Sequence, residues 1–319
     1  MLAGVLAALG AGLMWGLIFI VPLVLWDYPP VVLAFGRYAA FGLLALGLAW
    51  FDRKALARLT RSDWLEAARL ALVGNLLYYS TLAGAIQLAG APVPTLLIGT
   101  LPVVIAVCAN VLEKRVGGGA EAVSWRRLAV PLAIIFAGLS VVQFGPAGAA
   151  GGVSESTLEY LLGLGLAVIA VACWTWYPIR NSRWLRARPP GFSRPWATAQ
   201  GLATLPLALL TACGFALWDV ALGDADNLFA WPFGPRPMLF VGLMLLTGLA
   251  ASWLGTLLWN KASHLLPAAL VGQLIVFETL AALLYAFLWY GRWPSLHEAV
   301  GIALLVAGVL TGVRVFRRR

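Results

Sequence analysis

Charge is scarce in this sequence: Asp, Glu, Lys and Arg make up 11% of its 319 residues, where soluble domains carry about 25%. That scarcity excludes an ordinary water-soluble fold. Histidine is scarcer still. His264 and His297 are the only two, and neither belongs to the H-E-x-x-H arrangement of a zinc hydrolase. The three cysteines, Cys108, Cys173 and Cys213, lie scattered in apolar runs. An odd, unspaced set makes neither a metal site nor a disulfide framework, so they read as small core residues. Gly117-Gly118-Gly119 lacks the Lys-Ser/Thr of a phosphate-binding loop, so no nucleotide-driven pump is expected. No basic stretch precedes the first apolar run, so no cleavable signal peptide is expected. Neither a cofactor nor a metal is implied.

What the chain has in abundance is apolar length. Hydrophobic residues make up 62% of it, and the mean hydropathy is +0.90. In lipid every backbone N–H and C=O must be paired within the protein, which only helices and closed barrels achieve. Barrel strands are short and alternate in polarity. Here the apolar runs are continuous and of helix length for a bilayer core of about 30 Å. The sequence therefore predicts an all-α membrane protein with ten transmembrane helices, over 2–26, 31–51, 66–89, 92–112, 126–145, 157–179, 195–217, 237–260, 266–289 and 295–315.

The net charge of +9 is distributed as a topology signal, because Lys and Arg concentrate in cytoplasmic loops. With the N-terminus inside, nineteen cationic residues fall on the inner side and two, Arg236 and Arg292, on the outer. Arg37 lies within a span. The outer loops are acidic, through Asp27, Glu155, Glu159, Asp219, Asp224, Asp226 and Glu298. Both termini are therefore expected in the cytoplasm of a bacterial cell, in its inner membrane. Anionic lipid is a sufficient partner for the positive face, and nucleic acid is not expected. Trp26, Trp50, Trp64, Trp125, Trp184, Trp196, Trp218, Trp231 and Trp293 fall near span ends, as an interfacial belt requires.

The two halves of the chain repeat a series of features. An offset of 176 pairs Ser80 with Thr256 and Pro102 with Glu278. Ala137-Gly138-Leu139 in span five matches Ala307-Gly308-Val309 in span ten, and Met14-Trp15-Gly16 matches Cys173-Trp174-Thr175. Residues 1–150 and 151–319 thus read as two five-span units. An odd number of spans makes such units insert in opposite orientations, as an inverted repeat.

The five-plus-five repeat, the short turn into a Pro-bearing fourth span, its Leu112-Glu113-Lys114-Arg115 exit and the Ala307-Gly308-Val309 last span resemble the drug/metabolite transporter superfamily, EamA type. Tyr78-Tyr79, Phe277-Glu278 and the tryptophan density are most similar to aromatic amino-acid exporters of the YddG type, although Gly291-Arg292 stands where many relatives have Gly-Glu. The resemblance implies a secondary transporter exporting amino acids, or another metabolite or drug, by alternating access. It also implies a central cavity bounded by spans one, three, four, six, eight and nine. An intramembrane enzyme is the alternative from another class, and it lacks an arranged nucleophile, base or metal site. A passive channel lacks a filter or charged ring.

Polar and aromatic groups that are unfavourable in lipid should face the bundle interior. That points to Trp15, Asn75, Tyr78, Tyr79, Thr95, Gly99, Trp174, Trp176, Trp253, Thr256, Asn260, Gln273 and Phe277 as substrate-binding residues. Such a lining suits amphipathic amino acids and planar organic cations. Glu278 and Arg37 are charges within spans, with coupling, ion-pair and structural roles open: Glu278 bonding backbone freed by Pro102, Arg37 snorkelling outward. Pro94 and Pro102 are expected to kink span four. The expected partners are small amphipathic solutes and lipid, and the expected state is a monomer.

Overall fold

In a computed structural model, residues 1–25, 27–89, 97–116, 124–143, 157–189, 191–222 and 229–317 are described, and no strand occurs among them. Helix α1 (Leu2–Gly16) runs through a 3-10 turn, Leu17–Phe19, into the short α2 (Val21–Val24). Next come α3 (Pro30–Leu56) and α4 (Arg61–Ala71), which passes through a π-helical segment, Leu72–Leu77, into α5 (Tyr78–Ala89). Helices α6 (Leu101–Val116), α7 (Trp125–Gln143), α8 (Thr157–Arg186) and α9 (Ser193–Leu222) come after it. Helix α10 (Pro237–Thr247) passes through a second π-helical segment, Gly248–Leu254, into α11 (Gly255–Leu265). The chain ends in α12 (Ala268–Leu274), α13 (Val276–Tyr290) and α14 (Leu296–Arg317).

Local chemistry fixes many of these ends. Pro30 and Pro237 open α3 and α10, where a missing N–H leaves nothing unpaired. Thr60 caps α4 through a box in which its hydroxyl accepts from the Asp63 N–H while the Asp63 carboxylate accepts from the Thr60 N–H. Gly291 closes α13 in the left-handed region, with φ of 58°.

Six helical stretches among the described residues are long and apolar enough to cross a membrane: Val31–Leu56, Leu158–Arg186, Ser193–Ala221, Pro237–Leu265, Ala268–Trp289 and Leu296–Phe316. Their outward faces are apolar, with Leu46, Leu210, Leu217 and Leu288 exposed as lipid contact demands. Several helices outrun the apolar stretch that predicts them, since α3 extends five residues past 51 and α8 seven past 179. Ion pairs to neighbouring helices hold these polar ends, with Asp52 of α3 bound to Arg194 and Arg180 of α8 bound to Glu66, so hydropathy alone stops too early.

The helices pack as pairs, α3 on α9, α7 on α14, α5 on α8, α1 on α11 and α13, and α6 on α12. Small residues set the closest crossings. A Cβ on Gly138 of α7 would lie 2.9 Å from the Leu305 nitrogen, and one on Gly308 of α14 would lie 2.6 Å from Ile135 Cγ1. Two expectations are corrected by the packing. Cys213 is exposed on the outer surface, not in the core. Trp196 is fully buried and stacks on Trp184 at 3.5 Å, because its indole N–H is bound to Asn181 inside the bundle, so it belongs to no interfacial belt.

Candidate functional site: an aromatic cavity with two charges

The two π-helical segments stand where polar side chains meet the bundle interior. A π turn adds a residue per turn and loosens the hydrogen-bond ladder, a distortion frequent at functional sites. In the first, Gly74 and Asn75 face a cavity of about 220 Å³, and in the second Ser252 does. Gly74 is required by proximity, for a Cβ there would lie 2.3 Å from the Tyr177 ring. Asn75 donates to the Thr204 hydroxyl at 3.1 Å.

Aromatic rings form much of the wall. Trp15 and Trp174 meet edge to face at 5.4 Å, Tyr78 meets Trp174 at 5.4 Å, and Trp174 meets Tyr177 at 5.5 Å. Trp259 supports Trp15 from behind at 5.1 Å. The indole N–H groups of Trp174 and Trp259 are buried without a hydrogen-bond partner among the described residues. Arg37 and Tyr38 of α3 enter from the other side, where a smaller pocket of about 20 Å³ adjoins the cavity. The Arg37 Nε donates to Ser252 Oγ at 2.9 Å, which ties α3 to the second π segment. Glu278 completes the lining from the first turn of α13, just past the break at Ile275, where the helix N-terminus favours a carboxylate.

Of the residues predicted from sequence, Trp15, Asn75, Tyr78, Tyr79, Trp174 and Thr256 line this cavity, together with Arg37 and Glu278. Gly99 lies next to the lining residue Ile98. Pro102 stands in the first turn of α6, beside the break at Thr100, whereas Pro94 and Thr95 lie outside the described residues. The others point elsewhere. Trp176 is exposed on the outer surface. Trp253 packs with Tyr38 and Phe41 and donates to the Thr198 hydroxyl at 3.3 Å. Asn260 is fully buried in an amide network. Gln273 is fully buried against α14, its amide without a partner among the described residues, and Phe277 turns toward α1 and α14. The sequence reading missed Tyr38, Phe41 and Tyr177, and with them the contribution of α3. The one available signal was Arg37 itself, a charge in an apolar run that marks its own helix as interior.

Neither charge pairs with the other, since no ion pair within 4.0 Å joins Arg37 to Glu278, and among the described residues Glu278 makes no side-chain hydrogen bond. The expected bond from Glu278 to backbone freed by Pro102 does not form. Arg37 turns inward to Ser252 instead of snorkelling.

Beyond Tyr177 the bundle is sealed by polar contacts. The Tyr177 hydroxyl donates to Gln200 at 2.7 Å, and Asn181 accepts from Gln200 and Trp196 at 3.2 and 2.8 Å and donates to Asn260 at 2.8 Å. Outside that layer, ion pairs connect helices before residue 120 to helices after 150. They are Arg194 with Asp52 at 2.6 Å, Arg180 with Glu66 at 2.5 Å, Arg186 with Glu113 at 3.2 Å, and Arg188 with Asp63. Burial alone would raise the Asp63 carboxyl. Hydrogen bonds from Thr60 and Trp184 and the Arg188 charge outweigh it and hold the group below the usual carboxylate range. At the opposite end Arg236 pairs with Asp27, which keeps that half-buried carboxyl low as well.

Residues 2–120 match the EamA-like transporter family. The inner membrane protein YtfF of Escherichia coli (strain K12) is 48% identical over 314 residues, which cover 98% of this chain and 96% of YtfF. A solved crystal structure with 19% identity superposes over 99% of this chain and 98% of its own, with a TM-score of 0.74, a likeness of fold alone. Near-half identity over almost the full length, on a bundle of membrane-length apolar helices, establishes that the chain belongs to the EamA-like transporters of the drug/metabolite transporter superfamily, a multi-pass membrane transporter and not an enzyme.

Proposed function

We propose that this protein exports amino acids, aromatic and other large neutral ones, from the bacterial cytoplasm across the inner membrane. It does so as a monomer by alternating access between two inverted five-helix halves, 1–150 and 151–319. The observation that carries this reading is the aromatic-walled cavity, to which residues from both halves contribute. Rings stack on planar side chains, and hydroxyl and amide groups among them orient a polar end.

The two-half reading has support at several places. The π segments start 176 residues apart, the offset found in the sequence, and the helix breaks at Thr100 and Ile275 lie within a residue of it. Packing repeats as well: α5 lies on α8 as α11 lies on α1, and α6 touches α8 as α13 touches α1. Discontinuous helices near the bilayer midplane are the usual site of substrate contact in such folds. The basic end, read as cytoplasmic from its Lys and Arg excess, is tied shut by four ion pairs between the halves. The cavity continues instead on the Arg37 side, so the conformation is read as closed inward and directed outward.

Counterflow in proteoliposomes, with labelled phenylalanine and a competing panel of amino acids, tests this reading. Saturable uptake with competition by Phe, Trp and Tyr is the expected outcome, and a lack of competition by these three rejects it. An unpaired carboxylate beside aromatic rings also favours planar organic cations. One such cation belongs in the panel, and its competition without that of any amino acid would select that second substrate class.

A further inference from the structure

Charges inside a membrane bundle ordinarily pair with one another, since burying either alone is unfavourable. Arg37 and Glu278 break that habit. Both line the same aromatic cavity, from α3 and α13, yet they stand more than 4.0 Å apart with no ion pair. The Arg37 Nε is spent on Ser252, which fixes the guanidinium in place, and its two terminal nitrogens have no hydrogen-bond partner among the described residues. The carboxylate of Glu278 likewise accepts no hydrogen bond among the described residues. The cavity thus presents one held guanidinium and one carboxyl group, separated, in a lining they share with Trp15, Trp174 and Tyr78.

We propose that Arg37 and Glu278 form a two-point clamp for a zwitterion, with the guanidinium taking the α-carboxylate and the Glu278 carboxylate taking the α-ammonium of a free amino acid. The side chain of the substrate then lies among the rings. A ligand carrying both charges satisfies both groups and leaves the bundle neutral. An amine or a carboxylic acid alone leaves one buried charge uncompensated, which a site built for charge-assisted bonds rejects strongly. This inference deepens the export reading and rests on it. It names the feature selected, the free α-amino and α-carboxyl groups together, and leaves the rings to set side-chain preference.

Calorimetric titration of the purified protein with phenylalanine, phenethylamine and 3-phenylpropionate tests the clamp. The wild type should bind phenylalanine roughly tenfold or more tighter than either analogue. R37Q should bring phenylalanine down to the level of phenethylamine and leave phenethylamine unchanged. E278Q should bring it down to the level of 3-phenylpropionate. R37K, which keeps the charge, should retain part of the preference. The ligand series on the wild type stands without any variant, so a variant that fails to fold does not shelter the idea. Equal binding of all three ligands by a wild type that transports phenylalanine overturns the clamp alone. Failure of the wild type to bind or transport phenylalanine overturns the export reading as well. Variants that lose all three ligands equally would also overturn the clamp.

Discussion

At the scale of single residues, the site depends on contacts so close that small substitutions should be felt. Gly74→Ala would put a methyl group against the Tyr177 ring, whose hydroxyl is held by Gln200. The ring must then swing into the cavity, and overpacking of this kind costs about 1–3 kcal/mol. The expected outcome is a lower unfolding midpoint and weaker phenylalanine binding, read by thermal scanning and calorimetry on one preparation. Asn260→Leu should act without touching the cavity, by leaving the Asn181 amide N–H without its acceptor at a loss of about 1–3 kcal/mol. An unchanged unfolding midpoint would remove the amide layer as a structural seal. Much of the site was legible at this scale, because charges and aromatic residues in apolar runs are anomalous whatever the fold. Arg37, Glu278, Trp15 and Trp174 are visible in that way. Tyr38 and Tyr177 were not, since a tyrosine beside a charge or near a basic end reads equally well as packing.

Elements explain where face arithmetic succeeds and where it fails. An ideal helix predicts that Gln273 and Phe277 share a face, and both do turn toward α14, away from the cavity, while Glu278 on the neighbouring face, just past the break at Ile275, lines it. Tyr78 and Tyr79, just past the first π segment, both line the cavity, where the sequence pattern left the choice between them open. Neither distortion announces itself in hydropathy. The ion pairs at the basic end were equally hidden, since the sequence shows the cations but not which carboxylate each one finds. Those pairs carry a pH prediction. The Asp63 carboxyl is held below its usual range in this conformation, so its contribution is fully present above the ordinary carboxylate range and is lost as pH falls toward its lowered value. Asp63→Asn should mimic that loss at neutral pH. A cysteine replacing the buried Ser263 should then label faster with a water-soluble maleimide in Asp63→Asn than in the wild-type background, both at neutral pH, where the thiolate fraction is the same. Equal labelling rates in the two backgrounds would remove Asp63 from closure.

For the whole molecule, the paired crossings of α7 and α14 bear on how the two halves hold together. Gly138 and Gly308 each admit the other helix at a distance that a side chain forbids, whereas Gly47 and Gly165 face open space. Gly308→Leu should therefore lower expression and the unfolding midpoint in detergent, while Gly47→Ala and Gly165→Ala leave both near the wild type. Indifference at Gly308 would mean that the crossing contributes little to assembly. Helical class and the broad arrangement of apolar runs were legible in the sequence because lipid leaves so few ways to pair a backbone. Side-chain direction across broken helices was not, because it depends on local geometry. Transport through the aromatic cavity is the claim on which everything else rests. It is tested most directly by phenylalanine counterflow in proteoliposomes holding either the wild type or Thr256→Trp, whose added ring would fill the space beside Trp15. Saturable counterflow in the wild type and its loss in a correctly folded Thr256→Trp is the expected result. Undiminished counterflow in Thr256→Trp, or none in the wild type, would contradict it.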